Sequence, residues 1–456
     1  MPQSETEARY FQPPHIRVPA KSLGFPQNLM TILRNNLELI PREAYQQPLV
    51  VTGGLIPMAF ITGPELVKQV LHIREDEFPK ARVQNDVLRP IFGSAMISSE
   101  GHEWRWQRRA AAPMFRHAEL LQYAPTMTKA AEAAVDRWRQ ADGAVRAIEK
   151  DMMRAAYNVI SNTILAGGGA MAEAIEAGRE DYFNGANWWV IYTIMGLPHW
   201  MPRPGGRKMR AQERRMRRAI SDLVQARSAS HADDTDLLAR LLDAADPESG
   251  REMPDELLVD NIVSFLVAGY DTTALAMTWS LYLISQCPEW EARILDEVNA
   301  VVGCDPVESR HVADLKVVQQ VLKEALRLYP TAPAVAREID KDVELDGTLI
   351  KAGTIGWIPI YAIHRHEMYW EEPNSFRPER FAPDTEKPSN FQYLPFGAGP
   401  RICIGAAFAM IELTIMIATF VRAARFELAP GFAPEPCGQM FLLPKNGMAM
   451  KVTLRD

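Results

Sequence analysis

The sequence has few cysteines, no excess of positive charge and no uninterrupted apolar run of membrane length. Its 456 residues include only four cysteines, Cys287, Cys304, Cys403 and Cys437, none in a C-x-x-C pair. That density excludes a disulfide scaffold and fits a reducing compartment. Fifty basic residues stand against 57 acidic ones, a net charge of −7. A nucleic-acid binder normally carries a basic domain, so that class of partner is not expected. The start, MPQSETEARYF, is polar and acidic, without a signal-peptide apolar core. No apolar run reaches about 18 residues. Of the best candidates, Trp188 to Leu197 is too short and Ala406 to Val421 carries Glu412. A soluble, cytoplasmic protein is expected, monomeric and without an integral membrane span.

What is present is ordinary globular composition: 47% hydrophobic and 23% charged residues. Disordered and collagen-like classes are therefore excluded. At about 150 residues per domain the length suggests three domains, yet no repeat, Gly/Ser tract or charged linker divides the chain. Strand-like pieces occupy Leu49 to Ile61 and Val343 to Trp357, and most of the rest reads as helix. Helices are expected over Lys129 to Trp138, Arg207 to Arg227, Pro254 to about Gln286, Glu289 to Val302, Val317 to Tyr329 and Ala406 to Phe426. Pro359 to Pro400 lacks periodicity, and a long structureless segment in a compact domain is usually functional. A single mostly-α fold over residues 1–456 is expected, with 33 prolines for its loops and 21 methionines for adaptable apolar packing.

Pro395 to Gly405 reads PFGAGPRICIG. Glycines at 397, 399 and 405 permit positive φ and close approach to a large flat group. A helix-like segment begins just after Cys403, and a helix start favours a thiolate. A thiolate is a known axial ligand of haem iron. No second cysteine or histidine sits at zinc-ligand spacing. The competing reading is a buried structural cysteine near a helix start. Other stretches carry chemistry more weakly. In Ala268-Gly269-Tyr270-Asp271-Thr272-Thr273 a mid-helix glycine and back-bonding threonines suggest a local opening of the helical ladder. An acid beside an alcohol can relay protons into a dry pocket. Glu324 and Arg327 share a helix face, as do Trp104 and Arg108.

Together these stretches resemble the cytochrome P-450 family, in the soluble bacterial style. F-G-x-G-x-R-x-C-x-G is met by Phe396, Gly397, Gly399, Arg401, Cys403 and Gly405, and (A/G)-G-x-(D/E)-T-T by the Ala268 stretch. The resemblance implies a mainly α fold with a minor β region, a helix-rich triangular prism around a buried haem. Cys403 then ligates the iron of haem b. Ala268 and Gly269 lie at the cofactor, and Trp104, Arg108, Arg337 and Arg401 meet propionates, with His102 a weaker candidate. Thr272 bonds dioxygen, and Asp271 delivers protons to it. Glu324, Arg327 and Arg380 form a buried structural triad. The implied reaction inserts one atom of O2 into a C–H bond of a hydrophobic substrate such as a fatty acid, terpenoid or polycycle. The pocket is expected from the segment before Gly101, Trp188 to Pro202, Phe265, Thr331 to Val335 and Phe441 to Leu443. With no fused reductase expected, electrons come from a separate donor, a ferredoxin with its reductase, docking on Arg105, Arg109 and Arg116. The basic run Arg207 to Arg218 reads as a solvated face, with membrane-surface contact the lesser reading. Two rivals are a peroxide-driven hydroxylase and a non-catalytic haem sensor or carrier.

Overall fold

The computed structural model describes residues 10–455 apart from 19–24, 54–56, 165–187, 189, 194, 199–200, 203 and 231–236. Among the described residues the helices of ten residues or more are α1 (Phe25–Arg34), α2 (Arg82–Phe92), α3 (Gly101–Ala111), α4 (Ala124–Arg139), α5 (Ile148–Ile164), α6 (Gly206–Ser230), α7 (Asp255–Ser285), α8 (Pro288–Val301), α9 (Lys316–Leu328) and α10 (Ala406–Ala423). The strands are β1 (Leu49–Thr52), β2 (Met58–Ile61), β3 (Val145–Ala147), β4 (Val335–Glu338), β5 (Val343–Leu345), β6 (Thr348–Ile350), β7 (Ile355–Ile358), β8 (Ala424–Leu428), β9 (Pro436–Gly438), β10 (Leu442–Pro444) and β11 (Ala449–Leu454). The largest sheet has the order β1-β2-β7-β4, with β2 and β7 parallel and the other pairs antiparallel. The mainly α reading with a minor β region is therefore borne out.

Three boundaries differ from expectation. The last long helix stops at Ala423, because Ala424 to Phe426 alternates buried and exposed and pairs with β11. Pro254 caps α7 rather than opening its first turn. The segment from Pro359 to Pro400 is not structureless: it contains a helical turn at Ile360–Ile363 and a 3-10 turn at Pro378–Phe381.

Two apolar cores organise the chain. The larger gathers α4, α5, α7, α9 and α10. The smaller joins the main sheet to Leu66, Val70, Leu71 and Phe78. The PFGAGPRICIG loop bridges them, with Leu394 and Ala398 in the smaller core and Phe396 and Ile404 packed against the larger. A helix apolar all round belongs in an interior, and α7 takes that place against α5, α6, α9 and α10.

Helices α7 and α10 are each long and apolar enough to cross a membrane, with 83% and 67% of their most apolar windows buried inside the protein. This corrects the expectation for Asp255–Ser285. Its apolar stretch tolerates isolated charges that break an uninterrupted run.

Candidate functional site

The cysteine loop owes its shape to two left-handed glycines, Gly397 at φ 74° and Gly399 at φ 73°. The Gly397 N–H donates to Leu394 O at 3.0 Å, and the Cys403 N–H to Phe396 O at 2.9 Å, folding the strand back on itself. A Cβ on Gly399 falls well inside contact distance of the Leu71 carbonyl, whereas one on Gly397 meets nothing within 4 Å. Gly397→Ala is therefore expected to cost about 1–2 kcal/mol, the left-handed penalty alone. Gly399→Ala must also displace the Leu71 backbone and is expected to cost several-fold more in urea unfolding. Equal losses in the two variants contradict this packing.

Cys403 keeps accessible surface as a residue, while the surrounding protein desolvates its thiol. Burial pushes its thiol up, while the Gly405 amide and the Arg108 guanidinium pull it down. The expected thiolate-favouring helix start is thus outweighed by desolvation. Any metal ligated here must itself supply the charge that holds the thiolate.

Beside the cysteine lies a cluster of cations. Arg337, 7% exposed on β4, is pushed down to about 10 by burial and by Arg401, and its Nη1 donates only to the Ala336 carbonyl at 3.0 Å. The Arg108 guanidinium forms no hydrogen bond or ion pair among the described residues, and burial lowers its pKa. Lys80, a residue that no sequence motif marks, donates to the carbonyls of Ile97 at 2.7 Å and Ser99 at 2.9 Å. Burial depresses its amine to about 7 against the pull of Glu100. Arg401 departs from expectation. It pairs with Glu100 at 2.6 Å and Glu75 at 3.2 Å, and lies 5.3 Å from the Trp104 ring. Its charge is met by carboxylates, and the face of Trp104 serves as its platform. Lys80, Arg108, Arg337 and Arg401 against Glu75 and Glu100 leave up to two positive charges unmatched. That surplus suits the two propionates of a haem.

On α7, otherwise buried through its middle, Phe265, Ala268, Gly269 and Thr272 alone between Leu258 and Ile284 keep accessible surface. Their spacing of i, i+3, i+4 and i+7 is one helical stripe. Thr272 Oγ1 donates to the Ala268 carbonyl at 2.7 Å. The expected opening of the ladder is absent, since α7 is unbroken from Asp255 to Ser285 with this back-bond alongside its ladder. Asp271 is 1% exposed and so points away from the stripe into the packed interior. Gly269 keeps its place on the stripe and also faces α5. A Cβ there lies 2.9 Å from Ile160 Cδ1, which makes it a close-approach site between α7 and α5.

The expected triad is assembled. Glu324 accepts two hydrogen bonds from Arg327, both at 2.7 Å, and one from the Arg377 N–H at 2.8 Å, with Arg380 Nε at 3.5 Å. Arg327 also donates to the carbonyls of His364, Pro373 and Ser375, which pins the irregular segment to α9. His364, missed by sequence reading because no motif marks it, extends this network. Its Nε2 accepts the Leu394 N–H at 2.9 Å, beside the start of the cysteine loop. Burial and Arg327 depress its pKa from 6.5 to about 3. A histidine held neutral when folded contributes stability above pH 6.5 that is lost as pH falls toward 3. The urea midpoint is accordingly expected to drop between pH 7 and 5, and to drop less in His364→Gln. An identical drop in both proteins removes His364 from the account.

The expected docking patch is mostly spent on internal pairs. Arg105 pairs with Asp76, and Arg109 is held bidentately by Asp246 at 2.8 and 2.9 Å, leaving Arg116 exposed. His102 is exposed and lies outside the cluster. Along α6, Met209, Met216 and Ile220 are buried while Arg207, Arg210, Arg214 and Arg218 are exposed. Arg217 turns inward to Asp260 at 2.5 Å. Of the expected pocket, Thr331 is buried and Phe265 meets Phe115 at 5.5 Å between ring centroids, while much of the Trp188 to Pro202 stretch lies outside the described residues.

Residues 36–452 match the family model described as cytochrome P450. The chain is 28% identical over 430 residues to a cytokinin hydroxylase of Arabidopsis thaliana, covering 90% of this chain and 81% of that one. It is 30% identical over 414 residues to 11-oxo-beta-amyrin 30-oxidase of Glycyrrhiza uralensis, covering 86% and 78%. A crystal structure of the cytochrome P450DA heme domain superposes with a TM-score of 0.78 at 24% identity, covering 90% of each chain.

Proposed function

The chain belongs to the cytochrome P450 family and is a haem-thiolate monooxygenase, and from that premise we propose that Cys403 is its iron ligand. When bound, the haem supplies the activation of dioxygen that inserts one oxygen atom into substrate. The observation that carries the assignment is an accessible cysteine, on a loop shaped by Gly397 and Gly399, beside a surplus of buried cations. Arg108 and Arg337 hold the propionates, and Lys80, whose ammonium donates to the carbonyls of Met96, Ile97 and Ser99, contributes charge beside them. Arg401 acts indirectly: tied to Glu75 and Glu100 over Trp104, it fixes the loop that carries the cysteine.

Thr272 presents a hydroxyl on the only accessible stripe of the middle of α7, and Asp271 stands one residue away in the interior. We assign them proton delivery to that stripe. General acid–base groups contribute roughly 10²–10⁴-fold. Asp271→Asn is expected to lower dioxygen-driven product formation by about 10²-fold, with peroxide-driven turnover less affected. Thr272→Ala is expected to release more of the reducing equivalents as hydrogen peroxide. Unchanged coupling in both variants defeats the assignment and favours a peroxide-driven enzyme.

The substrate is a hydrophobic small molecule received beside Phe115, Phe265 and Ala268. The aromatic contact at 5.5 Å and the absence of charge on the stripe support this reading. Relatives named as amyrin oxidase and cytokinin hydroxylase support hydroxylation of an organic skeleton. Electrons come from a separate donor, for which we propose a small ferredoxin. Its docking contacts exclude Arg105 and Arg109, whose charges are met within the chain.

A further inference from the structure

A polar cavity, lined by none of the residues assigned to the haem, lies between the N-terminal segment and the turn that follows β7. Its volume is about 80 Å³, and it is lined by His15, Arg42, Tyr45, Tyr361, Arg365 and Glu367, among others. Arg365 is 3% exposed. Its Nε and Nη1 have no hydrogen-bond partner, and no carboxylate lies within ion-pair distance of it among the described residues. Its guanidinium lies 3.9 Å from the Tyr361 ring and 5.9 Å from the Tyr329 ring, contacts that supply no counter-charge. The neighbouring cation, Arg327, is already paired with Glu324 and adds only repulsion. A buried guanidinium without an anion is an unstable arrangement unless something meets it. The Tyr45 hydroxyl, on the same cavity wall and 7% exposed, is likewise without a partner.

We infer that this cavity binds a small oxyanion, a carboxylate or phosphoryl group, held by Arg365 and Tyr45. Space for one water takes about 10–15 Å³, so the cavity admits such a group and excludes a nucleotide or a lipid headgroup with its glycerol. The Tyr361 hydroxyl accepts the Ile16 N–H at 2.9 Å, which leaves its own proton to donate to the ligand beside Arg365 and Tyr45. At the rim Glu367 opposes an anion, partly offset by Arg42 at 3.7 Å. That opposition favours a singly charged ligand and makes Glu367 the residue that tunes affinity.

The test uses the haem-loaded enzyme. Its thermal unfolding midpoint is followed while inorganic phosphate or sodium acetate is titrated, at ionic strength held constant with a bulky sulfonate buffer. A ligand bound only by the folded state raises the midpoint saturably. Saturable stabilisation by either anion is expected, with an unchanged haem spectrum, and the more effective anion identifies the phosphoryl or the carboxylate class. Glu367→Gln, at an exposed position, is expected to tighten binding three- to ten-fold, and Tyr45→Phe to weaken it several-fold. Arg365→Gln is expected to abolish the response. If that variant does not fold, the Glu367 and Tyr45 variants still decide. A small linear salt effect shared by the native protein and these two variants overturns the proposal, leaving water as the partner of Arg365.

Discussion

Replacing Cys403 by serine is expected to abolish oxygenation while leaving the fold intact. Serine preserves the size of the side chain and keeps an atom for the Gly405 amide, so the loop geometry set by Gly397 and Gly399 survives. What disappears is the soft, electron-donating sulphur that the chemistry of this family requires. A loss of product formation of at least about 10³-fold is expected, corresponding to about 4 kcal/mol in barrier. Far-UV circular dichroism should remain native. A merely structural cysteine predicts the opposite pattern, a modest change in stability with activity preserved. The other three cysteines provide the control. Burial pushes Cys287 up to about 12 and Cys437 up to about 11, and Cys304 is exposed on the surface. Serine at those positions should leave the rate of oxygenation unchanged.

The second large effect is expected at Glu324. Its side chain and that of Arg327 are both fully buried, and it meets Arg327, Arg380 and the Arg377 N–H at once. Glu324→Ala leaves the buried Arg327 guanidinium without its counter-charge. Breaking a buried pair in this way costs about 3–5 kcal/mol, a large part of the roughly 5–15 kcal/mol that holds a typical domain together. Because Arg327 also grips the carbonyls of His364, Pro373 and Ser375, the loss reaches the cysteine loop through His364 and Leu394. Urea unfolding should shift to much lower concentration, and haem content of the purified protein should fall in parallel. Arg380→Lys should be milder, since Arg380 stands 3.5 Å from Glu324 and spends its Nη2 on the carbonyls of Glu371 and Glu372. Comparable losses in the two variants contradict the ranking.

Legibility in the sequence followed the range of the interaction. The glycines around Cys403 and the Glu324–Arg327 spacing are local patterns, and each is found where the sequence places it, whereas the opening expected in α7 is absent. Partners brought together across the chain left no local mark. Arg401 looks like an anion ligand until Glu75 and Glu100, some 300 residues away in sequence, neutralise it. Arg105 and Arg109 look like a docking surface until Asp76 and Asp246 arrive. Lys80 and His364 sit in unremarkable stretches and become parts of the site only through folding. Gly269 belongs to a motif associated with the cofactor and keeps its place on the stripe, yet it also lies close to Ile160, a neighbour no local pattern announces. The thiol of Cys403 shows the same limit in energetic terms. A helix start can be read from sequence, but the desolvation that outweighs it depends on the whole enclosure.

The most direct test of the central assignment is the absorption spectrum of the purified protein, reduced and exposed to carbon monoxide. A thiolate-ligated haem spectrum is expected from the native protein and none of that type from Cys403→Ser. An imidazole-type spectrum, no bound haem, or a thiolate spectrum that survives the loss of Cys403 contradicts the account.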